Sequence, residues 1–374
     1  MMDFFSSVSN LHYLCIPTLK RTSMFGKRNT APIKRLLVIR FSAMGDVAMT
    51  TPVVYALASQ HPELRITVLT RHRLVPLFEW MPANVQARGV DLKEHDGVIG
   101  LAKLYRQLRK GHFDAVADLH DVLRSKYLCA CFRACGTRVV TVDKGRKEKK
   151  GLTGKGSSAA SLTPMIERYA DVFREMGLSV DLQKKKMYLD LRGESYTDVY
   201  ALTGRKQAGD TWIGVAPFAA HMQKIYPLEK MHAVVKQLAD IGHKVFLFGA
   251  GESETEELET WEQKNVVSTC GKLGGLKNEM LLMSRLNLMI SMDSANMHIA
   301  SMLSVPVLSI WGATHPKAGF GGYGQHHDNA VQRDLPCRPC SIYGNKPCQY
   351  GDLRCMDISP ETIVEKVLNM LKES

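Results

Sequence analysis

No stretch of this chain holds the roughly 18 consecutive apolar residues that a membrane-spanning helix needs, so nothing in it is expected to cross a bilayer. Residues 1–30 lack a basic start ahead of an apolar run and show no clear cleavage site, which argues against a secretory leader. They read instead as a poorly ordered or dispensable extension, with Met24 as an alternative start. No short-period repeat is present. No Gly-x-Gly-x-x-Gly follows any strand-like run, which removes the fingerprint of a nucleotide-dependent oxidoreductase. Aromatics make up only 7% of residues and do not interleave with basic clusters, so charge alone would suggest a nucleic-acid binder, and no nucleic-acid partner is expected. Nine cysteines, an odd count in a chain without a leader, fit a reducing cytoplasm better than a disulfide framework.

What is present is a soluble, globular composition: 45% hydrophobic and 23% charged residues. At 374 residues the chain is too long for one ordinary core, and two domains are expected. The formal net charge of +12 favours an anionic partner, either a phosphorylated substrate or an acidic membrane surface.

Short continuous apolar runs alternate with helical periods. Arg35–Phe41, Leu64–Thr70, Phe113–Leu119 and Arg138–Val142 read as strands, with helices over Val47–Gln60, Pro76–Met81, Leu101–Lys110, to about Ala134, and Pro164–Met176. Lys186–Leu191 closes this half, and Arg192–Asp210 reads as a linker. The pattern then restarts. Trp212–Ala216 and Lys244–Phe248 are strands, Pro227–Ile241 and Glu252 to about Lys264 are helices, and Ser359 caps a last helix running to Lys372. Such alternation implies parallel sheets covered by helices on both faces.

Residues 288–316 are the most informative stretch. A buried strand, Leu286–Ile290, stops at Ser291-Met292-Asp293-Ser294, a helical pattern through Met297, Ala300 and Met302 follows, and Val305–Trp311 is a second strand. Asp, Ser, Asn and His therefore gather at a strand's carboxyl end beside a helix N-terminus, whose free N–H groups suit a phosphorylated ligand. This reads as half of a nucleotide-sugar site. In the first half, Ser42-Ala43-Met44-Gly45-Asp46 stands between a strand and its helix. Asp46 there is either a helix cap or a general base for a hydroxyl, and spacing alone leaves both open. Arg71 and Arg73 follow one strand, and Asp118-Leu119-His120-Asp121 with Arg124 and Lys126 follows another. The strand-end rule turns Arg71, Arg73, His120, Arg124 and Lys126 toward a cleft, where they are candidates for binding an acceptor's phosphate or carboxylate; the alternative is surface solvation. Between Lys144 and Lys155 six basic residues face one acidic, either as a solvated loop or as a clamp for an anionic acceptor. Cys337, Cys340, Cys348 and Cys355 begin with a C-x2-C spacing that could build a structural zinc site or pack as free thiols.

Four segments carry a family resemblance: IRFSAMGDVAMTTP, FAAHMQKIYP, GAGESE and SMDSANMHIA. In this order, over residues 35 to about 365, they resemble glycosyltransferase family 9, the bacterial ADP-heptose:lipopolysaccharide heptosyltransferases. The resemblance implies an α/β, GT-B architecture of two Rossmann-like domains whose parallel sheets face one another across a cleft. Expected boundaries are an acceptor-binding domain at 31–195, a nucleotide-sugar domain at 205–358 and a terminal helix at 359–374. It also implies an inverting transferase that displaces the diphosphate directly, with Asp46 as base and Ser42 and Gly45 shaping its loop. Lys224 is matched to the donor phosphates, and Asp293, Ser294, Asn296 and His298 to the donor motif. An acidic residue after the Gly-rich turn would hold the nucleotide ribose, Glu252 in preference to Glu254. The family often has Thr-Gly where Ser294-Ala295 stands, and threonines where Phe218-Ala219-Ala220 stand. No Asp-x-Asp pair is visible, so catalysis is expected to need no metal and no cofactor. The expected partners are an ADP-activated sugar and an anionic lipopolysaccharide core acceptor, handled in the cytoplasm with peripheral contact at the inner membrane. Alternatives are a transferase of this fold using another nucleotide sugar, an epimerase of the same architecture, which the Ser42–Asp46 loop disfavours, and a nucleotide-binding protein without transfer.

Overall fold

Runs such as Leu36–Ile39 and Leu288–Ile290 are apolar without alternation, and they fold as strands buried on both faces, as parallel strands between helical layers must be. The computed structural model describes residues 32–153, 161–184, 187 and 189–373; the expected extension at 1–30, the far end of the basic stretch and part of Lys186–Leu191 lie outside these.

The first half runs β1 (Arg35–Ile39), α1 (Met44–Gln60), β2 (Arg65–Arg71), β3 (Val85–Val90), α2 (Gly97–Arg109), β4 (Ala115–Asp118), α3 (Leu123–Ala134), β5 (Arg138–Thr141), α4 (Arg146–Leu152), α5 (Met165–Glu175) and α6 (Thr197–Thr203). The second runs β6 (Trp212–Ala216), α7 (Leu228–Asp240), β7 (Lys244–Leu247), α8 (Glu252–Glu259), β8 (Val266–Ser268), α9 (Leu276–Met283), β9 (Leu288–Met292), α10 (Ala295–Met302), β10 (Val307–Trp311), β11 (Ala330–Gln332) and α11 (Pro360–Lys372). One sheet has the order β3-β2-β1-β4-β5 and the other β11-β10-β9-β6-β7-β8. Both are parallel throughout. In each, the chain works outward on one side of its first strand and then returns to the other. The switch points therefore lie beside β1 and β6, where crevices open at the strands' carboxyl ends.

The two lobes share apolar packing. Val47, Val53 and Val54 of α1 belong to the same buried cluster as Met297, Ala300 and Met302 of α10. The Thr51 hydroxyl also lies 3.5 Å from the Met302 sulfur. That packing brings the amino ends of α1 and α10 together.

The departures from expectation have local causes. β3, a stretch given no element in the sequence reading, is a half-buried edge strand (Val-Gln-Ala-Arg-Gly-Val) that lacks a continuous apolar run, and β11 is a three-residue edge strand. The expected linker at 192–210 contains α6, which buries Val199 and Thr203 and stacks Tyr196 on Tyr200 at 5.5 Å. The Lys-rich stretch contains α4, whose Leu152 and Lys149 are buried. α8 stops at Glu259, earlier than expected, and α1 begins at Met44, which puts Asp46 inside the first turn. α11 behaves as read: the Ser359 hydroxyl accepts the Thr362 N–H at 3.2 Å.

Candidate active site

The acceptor-side groups follow from how β1 ends. Arg40 is buried just past the strand, donates Nη1 to the Leu119 carbonyl at 2.5 Å and lies over the Tyr169 ring at 5.6 Å. It thereby ties the ends of β1 and β4 together across the switch point. Its Nη2 pairs with Asp46 Oδ2 at 2.9 Å, and the same oxygen accepts the Ala43 N–H at 3.2 Å. Both contacts fall on Oδ2, which leaves Oδ1 without a hydrogen bond among the described residues. Asp46 is thus oriented by a buried cation, with about a third of its side chain open.

His120 lies under this loop, its Nε2 3.5 Å from the Ser42 hydroxyl and its Nδ1 3.5 Å from the Phe41 N–H. Burial first, then Arg40 and Lys144, push its pKa down to about 3, so it is neutral at pH 7. Asp118 shapes the turn that presents it: Oδ1 accepts the N–H groups of His120 and Asp121 at 2.9 Å each, and Oδ2 accepts the Ser125 hydroxyl at 3.0 Å. The other expected acceptor residues are spread out. Arg71 keeps a buried Nε without a partner among the described residues, and Arg73 is exposed. Arg124 pairs with Asp96 at 2.8 Å, and Lys126 with Asp121 at 3.1 Å.

On the donor side, Lys224 closes the short 3-10 turn after β6, and its Nζ meets Asp293 Oδ2 at 2.8 Å and the Asp293 carbonyl at 3.1 Å. Ser294 occupies the N-cap of α10 but does not cap it with its side chain; its hydroxyl lies 3.1 Å from that of Ser291. The first-turn N–H groups of α10, including that of Asn296, are therefore available to a ligand. His298 is buried with no partner for Nδ1 among the described residues, and burial pushes its pKa down to about 4 against the opposing pull of Asp293 and Asp46. Both carboxylates favour protonation of this one ring, and the β1–α1 loop that carries Asp46 approaches it. Gly45 makes the approach possible: a Cβ there would stand 3.1 Å from His298 Cδ2. After β7, Glu254 Oε2 accepts the Ala250 N–H at 2.8 Å and is occupied by its own turn, whereas Glu252 is exposed at the start of α8.

The four C-terminal cysteines are free thiols, and only Cys355 is fully buried. Among the described residues the one His/Cys/Asp/Glu trio whose ligand atoms lie within 4.8 Å of each other is exposed His326, His327 and Asp328, so these thiols do not converge as a zinc set. Arg338, between the first two, instead donates to the carbonyls of Gly312, Trp311, Thr314 and Arg333 and braces the end of β10. A cavity of about 1070 Å³ lined by Arg35, Tyr55, Arg65 and Phe113 lies at the opposite, amino end of the first sheet, away from these groups.

Comparison with known proteins fits this geometry. The model of glycosyltransferase family 9 (heptosyltransferase) matches residues 101–350, more than half the chain. The chain belongs to glycosyltransferase family 9. Lipopolysaccharide heptosyltransferase 3 of Escherichia coli K12 is 24% identical over 292 residues, 72% of this chain and 80% of that protein. Among solved structures, the family 9 glycosyl transferase of Veillonella parvula superposes with a TM-score of 0.72 at 22% identity, covering 91% of this chain and 98% of that one. The E. coli ADP-heptose lipopolysaccharide heptosyltransferase II superposes at 0.66 and 20%, covering 91% and 99%. This family 9 enzyme therefore has the two-domain GT-B fold of those structures. No helix among its described residues is long and apolar enough to cross a membrane.

Sequence reading had passed over Arg40, although it lies inside a quoted motif. Its signal is a charged residue directly after a four-residue apolar run, where the chain has not yet left the core.

Proposed function

We propose that this enzyme is an inverting, metal-independent transferase that moves a heptose, or a sugar of that class, from an ADP-sugar to an anionic lipopolysaccharide core acceptor. The observation that carries the reading is the meeting of the loop that bears Asp46 with α10: a Cβ on Gly45 would stand 3.1 Å from His298 Cδ2 and 3.3 Å from the Ala295 Cα, two residues after the Asp293 that pairs with Lys224. In this mechanism Asp46 takes the proton of the acceptor hydroxyl as its oxygen attacks the anomeric carbon. The bond to the diphosphate breaks from the opposite face, which inverts the configuration. Lys224 and the first-turn N–H groups of α10, with Ser294 and Asn296, oppose the charge that builds on the leaving diphosphate. A fixed protein cation at that point supplies the balancing charge without a metal ion. His298 offers its unpartnered Nδ1 to the donor, and Glu252 takes the ribose hydroxyls. Neutral His120 adds no positive charge beneath the loop that carries Asp46 and, with Arg71, Arg73, Arg124 and Lys126, faces the acceptor.

Residues 31–195 are the acceptor domain in this reading and 205–358 the donor domain. The enzyme acts in the cytoplasm at the inner face of the inner membrane, where a basic surface meets an acidic lipid acceptor. The test is incubation of the purified chain with ADP-heptose and lipid A–Kdo fragments in buffer containing a chelator. Sugar transfer with an inverted anomeric centre is expected. Transfer only from a different nucleotide sugar, or only with added divalent metal, would refute the donor or the metal-free mechanism respectively.

A further inference from the structure

Lys149 is the most unusual charged residue outside the groups already assigned. It is only 6% exposed, yet no carboxylate pairs with it among the described residues. Buried ammonium groups are ordinarily paired, because losing water disfavours the charge. Here Nζ lies instead 4.6 Å from the centroid of the Phe320 ring and 5.8 Å from that of Tyr343, with the Met165 sulfur at 3.3 Å. The two rings are themselves a tilted pair, 5.8 Å apart. Both come from loops of the donor half, whereas Lys149 stands on α4 of the acceptor half. The negative faces of two rings replace the missing anion.

Each end of this contact is anchored. On the acceptor side, Arg168 of α5 pairs with Glu148 at 2.5 Å and Asp143 at 3.6 Å, and packs beneath Gly145, whose φ of 59° starts α4. On the donor side, the Ser341 N–H donates to the Ala313 carbonyl at 3.3 Å, and its hydroxyl accepts the Gly344 N–H at 2.9 Å. Gly344 then presses on Lys224: a Cβ there would stand 2.6 Å from Lys224 Cγ, at a φ of 75°. A continuous path of contacts therefore runs from Lys149 through Tyr343 and Gly344 to the stem of Lys224.

We propose that Lys149 is an interlobe positioning residue: its ammonium, seated on Phe320 and Tyr343, holds the Ser341–Gly344 turn, and with it Lys224, in register with Asp46. The proposal rests on the roles given to Asp46 and Lys224 above. The contact needs the charged form. The groups that bear on it are Arg168 of α5, Lys144 ahead of α4, Arg40 and Asp46 of the β1–α1 loop, and the phenol of Tyr343, which burial keeps protonated. Burial, then Arg168, lower the Lys149 pKa to about 8, and Asp46 opposes this. The ammonium is accordingly present at pH 7 and lost as pH rises through about 8.

The test uses the full chain with Lys149→Met, a near-isosteric apolar replacement, and Lys149→Arg, which keeps its charge above pH 10. At pH 7 Lys149→Met is expected to lower kcat about tenfold, the scale of a desolvated cation–π contact, with donor KM changed less than threefold. Wild-type kcat should decline above about pH 8, and Lys149→Arg should keep at least a third of the activity while shifting that decline upward by more than one pH unit. A kcat for Lys149→Met within twofold of wild type, or an alkaline decline that Lys149→Arg leaves in place, overturns the proposal. If Lys149→Met does not fold, the Lys149→Arg profile decides. Small-angle X-ray scattering with ADP bound separates this from failure of the transferase reading. A wild type that transfers no sugar but expands between pH 7 and 9.5, where Lys149→Arg does not, retains the latch and loses the proposed reaction. An unchanged radius in wild type across that range sinks the latch.

Discussion

Gly45 and His298 meet where the amino ends of α1 and α10 converge, and a Cβ at position 45 would lie 3.1 Å from His298 Cδ2 and 3.3 Å from the Ala295 Cα. One neighbour is a fully packed ring and the other is backbone, so neither can move without shifting a helix. Gly45→Ala is expected to separate the two helix ends by a few tenths of an ångström and to lower kcat at least tenfold, because reacting groups tolerate little misplacement. Thermal unfolding should fall by only a few degrees. Steady-state kinetics beside a melting curve checks this; unchanged kcat would mean the two helix ends do not set the reacting distance.

Asp46 is held by Arg40 and the Ala43 N–H, both on Oδ2, so its carboxylate has a structural and a chemical use to separate. Asp46→Asn keeps the acceptor for the Ala43 N–H and removes the base. A loss of about 10²- to 10⁴-fold in kcat is expected, with ADP affinity by calorimetry within threefold of wild type. Full activity in Asp46→Asn would reduce the residue to a helix cap.

Lys224 and Asp293 form a largely buried pair at 2.8 Å, so removing the lysine strands a carboxylate as well as a donor contact. Lys224→Met should weaken ADP binding at least tenfold, the scale of a charge-assisted contact to phosphate, and also lower the melting temperature. In Lys224→Met with Asp293→Asn the stranded charge is gone. The melting temperature should recover while ADP affinity stays low. Recovery of affinity in the double variant would argue that Lys224 only neutralises Asp293.

The doubly wound sheets were legible because strands buried on both faces are continuous apolar runs, and Leu36–Ile39 or Leu288–Ile290 can be little else. Edge strands β3 and β11 were not, since one open side admits the polar residues of Val85–Val90 and Ala330–Gln332. Asp46, Lys224 and Asp293 could be named from motif order, but their partners could not. Arg40 has no role that its motif alone discloses, because the Leu119 carbonyl and Asp46 that close around it are contacts spanning 79 and 6 positions in the chain. Likewise Glu252 and Glu254 look equivalent in a helix's first turn, and only the Ala250 N–H distinguishes them by occupying Glu254. Lys149 sits in a run whose composition says solvent; rings from residues 320 and 343 say otherwise.

His298 gives the pH dependence of the fold a definite sign. Its pKa falls from 6.5 to about 4 on folding because the charged ring would be buried. Between those values the unfolded chain binds the proton and the native one does not, so unfolding free energy must fall as the pH drops below about 6.5, and the loss is complete near pH 4. At one group this amounts to something on the order of 3 kcal/mol. His120, lowered to about 3, and His315, lowered to about 4, act in the same direction. Urea unfolding at pH 7.5, 6 and 5 is expected to show declining midpoints for the wild type and a shallower decline for His298→Gln. Because Asp46 and Asp293 both favour protonation of this ring, Asp46→Asn should steepen the acid loss slightly. Parallel slopes for wild type and His298→Gln would mean that the imidazole reaches water in the native state, and that Gly45 does not seal it.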